Sequence, residues 1–235
     1  MKQAKKSKLL IPLTAAGFGL RYLVYRYAVD GKNLVISSHP LLLALWVLTV
    51  VTLGYLVYAF CRKEERDEPF PVGSAAFLSH GLLGVGMACV VLLNDTPTPG
   101  LLGLFWKIFG LAGAVGLLVA GFQRLQGKQA FFGGYGLACL FALVHVVVHY
   151  QLWCSNPQLT DYGFDLLGTV ALAFATYQLA ALAVGLGKKK TLYLAAGCLA
   201  FCYGAAMASG AYPYLNLGGI FFGLTCLPAA VKEEE

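Results

Sequence analysis

A chain of 235 residues that is 59% hydrophobic and only 12% charged has too little polar surface to face water, since soluble domains carry about 25% charged residues. Its formal charge of +6 comes from lysines and arginines gathered in short segments between apolar runs. That pattern excludes a basic nucleic-acid surface and reads as a membrane topology signal.

The first element follows the basic stretch MKQAKKSK. No small-residue cleavage site comes after it, and Arg21 and Arg26 interrupt the region where one would fall, so a retained span is expected rather than a signal peptide. A spanning helix needs about 20 mostly apolar residues. On that basis the predicted spans are 9–28, 40–61, 73–94, 101–122, 131–152, 162–186, 190–208 and 213–231. The breaks carry turn residues: Asp30-Gly31, Pro40, Glu68-Pro69, Asn94-Asp95 with Pro97 and Pro99, Gly127, Asn156-Pro157, Gly187 and Pro213. The connection between the last two spans is short enough for either a tight hairpin or one broken helix.

Thirteen of the seventeen lysines and arginines fall in the segments 1–8, 62–72, 123–130, 187–190 and 232–235, and the alternate connections hold only Lys32. Basic segments at every second turn place both termini in the cytoplasm, with an even number of crossings. The expected fold is therefore all-α: a polytopic transmembrane helix bundle of about eight spans, forming a single integral membrane domain over 1–235. Ala196, Ala200, Gly204 and Ala208 form one small-residue ridge and Gly219 and Gly223 another, and both are expected to serve packing within the chain. Six of the seven cysteines sit in or at the ends of apolar spans and read as small apolar filler, with Cys154 in a connection.

The chemistry-bearing residues cluster in VHVVVHYQLWCSNPQLTDYGFD. His145 and His149 are four apart on one span, and Asp161 and Asp165 four apart on the next, so each pair shares a helix face. The charge pattern places this hairpin's turn outside, at the depth of Arg21, Arg26 and Lys107. Ionisable side chains within a bilayer turn to the bundle interior or to water, and find partners there. Three arrangements suit the layer. The groups can form ion pairs that hold register. They can line an outward-facing pocket for a small polar or anionic ligand, built from Arg21, Arg26, Lys107, His145, His149, Asp161 and Asp165. Or His145, His149 and Asp165 can ligate a metal. His80 belongs to the opposite half and His39 to a connection, so no two facing histidines for a haem are expected, and no cofactor is assigned. There is no G-x-S-x-G, H-E-x-x-H or P-loop, so catalysis is not the expected role.

Three patterns, VDGKNLVISSHPLL, YQLWCSNPQLTDYGFDLLG and YQLAALAVGLGKKK, together resemble an uncharacterised family of small multi-pass membrane proteins of anaerobic Gram-positive bacteria. The resemblance implies the bacterial cytoplasmic membrane and brings no activity, ligand or catalytic residue. Two roles follow from the residues. One is binding or transport of a small polar ligand through the outer polar layer, which requires a cavity there. The other is a non-catalytic membrane subunit or scaffold, which requires the layer to be mutually satisfied and a face left for a membrane partner or a second copy.

Overall fold

The computed structural model describes residues 2–29, 35–36, 38–61, 73–94, 100–153 and 159–227, the side chains of 2–8, 60–61, 152–153 and 159–161 excepted. Eight α-helices follow in chain order: α1 (Lys2–Tyr27), α2 (Pro40–Cys61), α3 (Ser74–Leu93), α4 (Leu101–Leu125), α5 (Phe132–Trp153), α6 (Leu159–Ala183), α7 (Lys189–Ala206) and α8 (Pro213–Cys226). The expected spans coincide with these helices, with ends displaced by a few residues. Asp30-Gly31, Glu68-Pro69, Asp95, Pro97, Pro99, Cys154 and Asn156-Pro157 lie outside the described residues.

Six helices, α2 to α7, are long and apolar enough to cross a membrane. The chain is thus an all-helical, multi-pass membrane protein by length and composition. The other two differ for physical reasons. Two arginines, Arg21 and Arg26, fall in the second half of α1. The 14 residues of α8 reach only about 21 Å at about 1.5 Å per residue, against a hydrocarbon layer of about 30 Å.

Helix ends follow local chemistry. Pro40 and Pro213 open α2 and α8, where a missing amide hydrogen costs nothing. His39 caps α2, its Nδ1 accepting from the Leu41 amide at 3.2 Å. The end of α7 tightens into a 3-10 turn, Met207–Ser209, and Gly210 follows at φ 69°, a left-handed conformation that glycine adopts without strain. The chain then reverses, so the last two helices form a tight hairpin rather than one broken helix.

Helices α3 to α8 close into a ring: α3 on α4, α4 on α5, α5 on α6, α6 on α7, α7 on α8, and α8 back on α3. Outside it, α1 and α2 pack on each other and on α7, which makes α7 the most covered helix. Backbone contact closes the ring. A Cβ at Gly86 would lie 2.6 Å from the Tyr214 carbonyl oxygen, and one at Gly218 would lie 2.7 Å from that of Leu82. The two small-residue ridges meet, as internal packing requires: a Cβ at Gly223 would lie 2.6 Å from the Ala196 carbonyl oxygen and 3.2 Å from the Ala200 Cβ. Gly204 instead faces Thr14 of α1, and Gly219 faces the Tyr203 ring. Hydroxyls of Thr49, Thr52, Thr169 and Thr176 each donate to the carbonyl one turn back, which satisfies them without water.

Candidate functional site

The C-terminal ends of α1, α3, α5 and α7 share one end of the bundle, called upper here. Just below it, α4, α5, α6 and α8 bring a polar layer together, in two halves with different chemistry.

The first half is built on α5. Both imidazoles are buried, and their rings lie 3.9 Å apart at 31°. Trp106 Nε1 donates to His145 Nδ1 at 3.0 Å. An indole N–H can only donate, so that nitrogen carries no proton. His149 Nδ1 lies 3.0 Å from the His145 carbonyl oxygen, an obligate acceptor, and therefore carries its proton. His149 Nε2 is then left to accept from the Tyr212 hydroxyl. Tyr212 sits in the α7–α8 turn, where burial, reinforced by the nearby Asp165 carboxyl, pushes its hydroxyl up and keeps it a donor. This half is a hydrogen-bond chain that runs from Trp106 through His145 and His149 to Tyr212.

The second half is built on α6. The Asp165 side chain is only 2% exposed. Its Oδ1 meets Asn216 Nδ2 of α8 at 3.4 Å, and its Oδ2 meets Ser209 Oγ at 3.4 Å. Both contacts are long; charge-assisted hydrogen bonds are normally below about 3 Å. Ser209 Oγ also lies 2.7 Å from the Ala206 carbonyl, which is the better acceptor for its single proton. Thr169 and Tyr203 stand one turn deeper, with the Thr169 proton given to the Asp165 carbonyl at 2.8 Å and the Tyr203 hydroxyl 3.2 Å from Thr169. Asn216 is fully buried, and its Oδ1 has no hydrogen-bond partner among the described residues. Arg21 is buried too, and its charge acts on Asp165. Its guanidinium lies 4.8 Å from the Phe164 ring centre and donates to the Tyr25 hydroxyl at 2.9 Å.

Four of the seven expected site residues, Arg21, His145, His149 and Asp165, are therefore turned into the layer. Lys107 and Arg26 reach its height but are exposed, and the Asp161 side chain lies outside the described residues. The metal alternative of His145, His149 and Asp165 meets an obstacle: the imidazoles pack against each other at a 31° tilt, and the Trp106 and Tyr212 bonds occupy one nitrogen of each. Among the described residues no three His, Cys, Asp or Glu side chains converge to hold a metal. Trp106, Ser209, Tyr212 and Asn216 were not among the expected site residues.

A shallow recess of about 140 Å³ opens between α3 and α8 at the upper end, lined by Asn94, Ala211, Tyr212 and Tyr214 among others. It adjoins the layer through Tyr212. It is not the cavity expected among the arginines and lysine.

Below, a separate buried pair links α3 to α5: His80 Nδ1 donates to the Ala76 carbonyl, and the Tyr135 hydroxyl lies 2.9 Å from Nε2. His80 thus sits in the opposite half, away from the other two histidines.

The fold and layer define a class, a polytopic helical membrane protein with a buried polar layer at one end. No protein-family model matches this chain, and no curated protein or solved structure matches it either.

Proposed function

We propose that the chain is a bacterial cell-membrane protein with eight crossings and both termini cytoplasmic, and that it binds a small polar ligand from the outer side in the layer centred on Asp165. The placement of the basic segments supports the orientation. In such a topology α8, which ends at Cys226 where Leu227 turns extended, is the shortest crossing.

One observation carries the ligand reading. Asp165 is buried with only long contacts to described side chains, beside an Asn216 oxygen that has no partner among the described residues. A buried acceptor left unmade costs about 1–3 kcal/mol, and more for a charged group. Buried ionisable groups within a membrane mark ligand or ion sites by default. The recess beside Tyr212 opens at the upper end of the bundle, and none of Asp165, Asn216 and Ser209 lines it. The groups taking part are Asp165, Asn216 and Ser209, with Arg21 as the neighbouring charge. His145 and His149 form a wall, and Lys107 and Arg26 face lipid headgroups.

The second reading, a non-catalytic subunit or scaffold, is favoured by the Trp106–His145–His149–Tyr212 hydrogen-bond chain, which ties α4, α5 and the α7–α8 turn together. Labelling separates the two. In a cysteine-free background, Ser209→Cys should react from the outer side of intact membranes with a small membrane-impermeant thiol reagent, and Thr169→Cys, one turn deeper, should react more slowly. Protection of Ser209→Cys until the protein is denatured would favour the scaffold.

A further inference from the structure

The proton inventory around Asp165 narrows what the layer binds, an inference that rests on the ligand reading above. Every hydroxyl there gives its proton elsewhere: Ser209 to Ala206, and Thr169 to the Asp165 backbone. Of the described side-chain groups on the carboxyl oxygens, the Asn216 amide brings a donor at 3.4 Å, while the Ser209 proton goes to the nearer Ala206 carbonyl. Amide nitrogen and oxygen are interchangeable by a flip. As oriented, Oδ1 lacks a partner among the described residues. Flipped, Oδ1 would take the nitrogen's place 3.4 Å from the carboxylate. With Asp165 ionised the cluster is, either way, an excess of acceptors, and acceptors are gathered by a donor or a cation.

We propose that Asp165, Asn216 and Ser209 form a binding site for one small monovalent alkali cation of sodium size. The spacing fits such an ion. Ser209 Oγ and Asp165 Oδ2 are 3.4 Å apart. Two adjacent oxygens of an octahedral shell at that separation imply a metal–oxygen distance of about 2.4 Å, within the range of calcium-sized ions and matching sodium. Charge selects between them. The site offers one carboxylate and otherwise neutral oxygens, with Arg21 supplying a positive charge nearby, and that suits a single charge rather than two. The Asn216 carbonyl oxygen and the Ser209 lone pair not taken by the Ala211 amide complete the set from α8 and from the 3-10 turn that ends α7. The cation then joins α6, α7 and α8 at their upper ends, where the hydrogen bonds between them are longest. Its binding would add stability to the folded state by mass action.

The test is thermal unfolding of the purified full chain in nanodiscs of zwitterionic lipid, in chloride salts of sodium, lithium, potassium or choline at one ionic strength. The unfolding midpoint should rise saturably with sodium and lithium, less with potassium, and not with choline. Asn216→Leu and the milder Ser209→Ala should each weaken the apparent sodium affinity at least tenfold, and Asp165→Asn should abolish the response. Trp106→Phe, in the histidine half, should lower the midpoint in every salt yet keep the sodium increment, which shows that a weakened fold alone does not remove it. Equal midpoints in all four salts, or a sodium increment that survives Asp165→Asn, would overturn the cation site. The ligand reading itself stands or falls separately, on the Ser209→Cys labelling.

Discussion

The indole of Trp106 on α4 donates to Nδ1 of His145 on α5 at 3.0 Å, across an interface in which both side chains are buried. This bond fixes the tautomer of His145 and aligns the ring on which His149 stacks. Trp106→Phe keeps the apolar bulk but leaves a buried imidazole acceptor unmade. It should cost about 1–3 kcal/mol, read as a lower unfolding midpoint in detergent or nanodiscs. Adding His145→Leu should recover part of the loss, because the orphaned acceptor leaves with the imidazole. Full additivity of the two losses would mean that the bond contributes nothing.

Ring closure depends on α3 and α8 touching through backbone. Gly86→Ala drives a methyl group toward the Tyr214 carbonyl and should cost about 1–3 kcal/mol, as overpacking generally does. Gly54 on α2 has nothing within 4 Å of the same added atom. Gly54→Ala should be neutral or slightly stabilising, since alanine is the better helix former by up to about 1 kcal/mol. The pair of substitutions, compared by unfolding midpoint, tests the packing order directly.

Orientation can be read by labelling single cysteines in intact cells. Ala211 and Lys128 are both exposed and lie at opposite ends of the bundle. Ala211→Cys should react with an impermeant reagent from outside, and Lys128→Cys only after permeabilisation. The reverse pattern would invert the proposed topology.

Much of this architecture is legible in the chain itself. Apolar runs bounded by Pro40, Gly127 and Pro213 set the helix ends, because in a bilayer a backbone can only be helical until a turn is affordable. The small-residue ridges pointed to close packing, and Gly223 does meet Ala196 and Ala200. What the chain does not reveal is which face of each helix turns inward. A helix that is apolar all round has no stripe to read. Hence depth alone puts Lys107 in the site, whereas its neighbour Trp106, about 100° round the helix, is the inward residue and Lys107 is exposed. Arg26 was grouped with Arg21 by height, but five positions amount to about 140° of rotation, and only Arg21 is buried. The Asp165 partners were out of reach for a different reason. Asn216 and Ser209 lie 51 and 44 residues away in sequence and arrive only because α7 and α8 form a hairpin beside α6.

The central claim is that Asp165, Asn216 and Ser209 surround a bound species rather than each other. An experimental density map of the full chain, prepared in sodium chloride, tests it most directly. The account predicts a compact peak among Asp165 Oδ2, Ser209 Oγ and the Asn216 amide, at about 2.4 Å from the oxygens. Continuous direct hydrogen bonds of about 2.8 Å between the three side chains, with no peak among them, would contradict it.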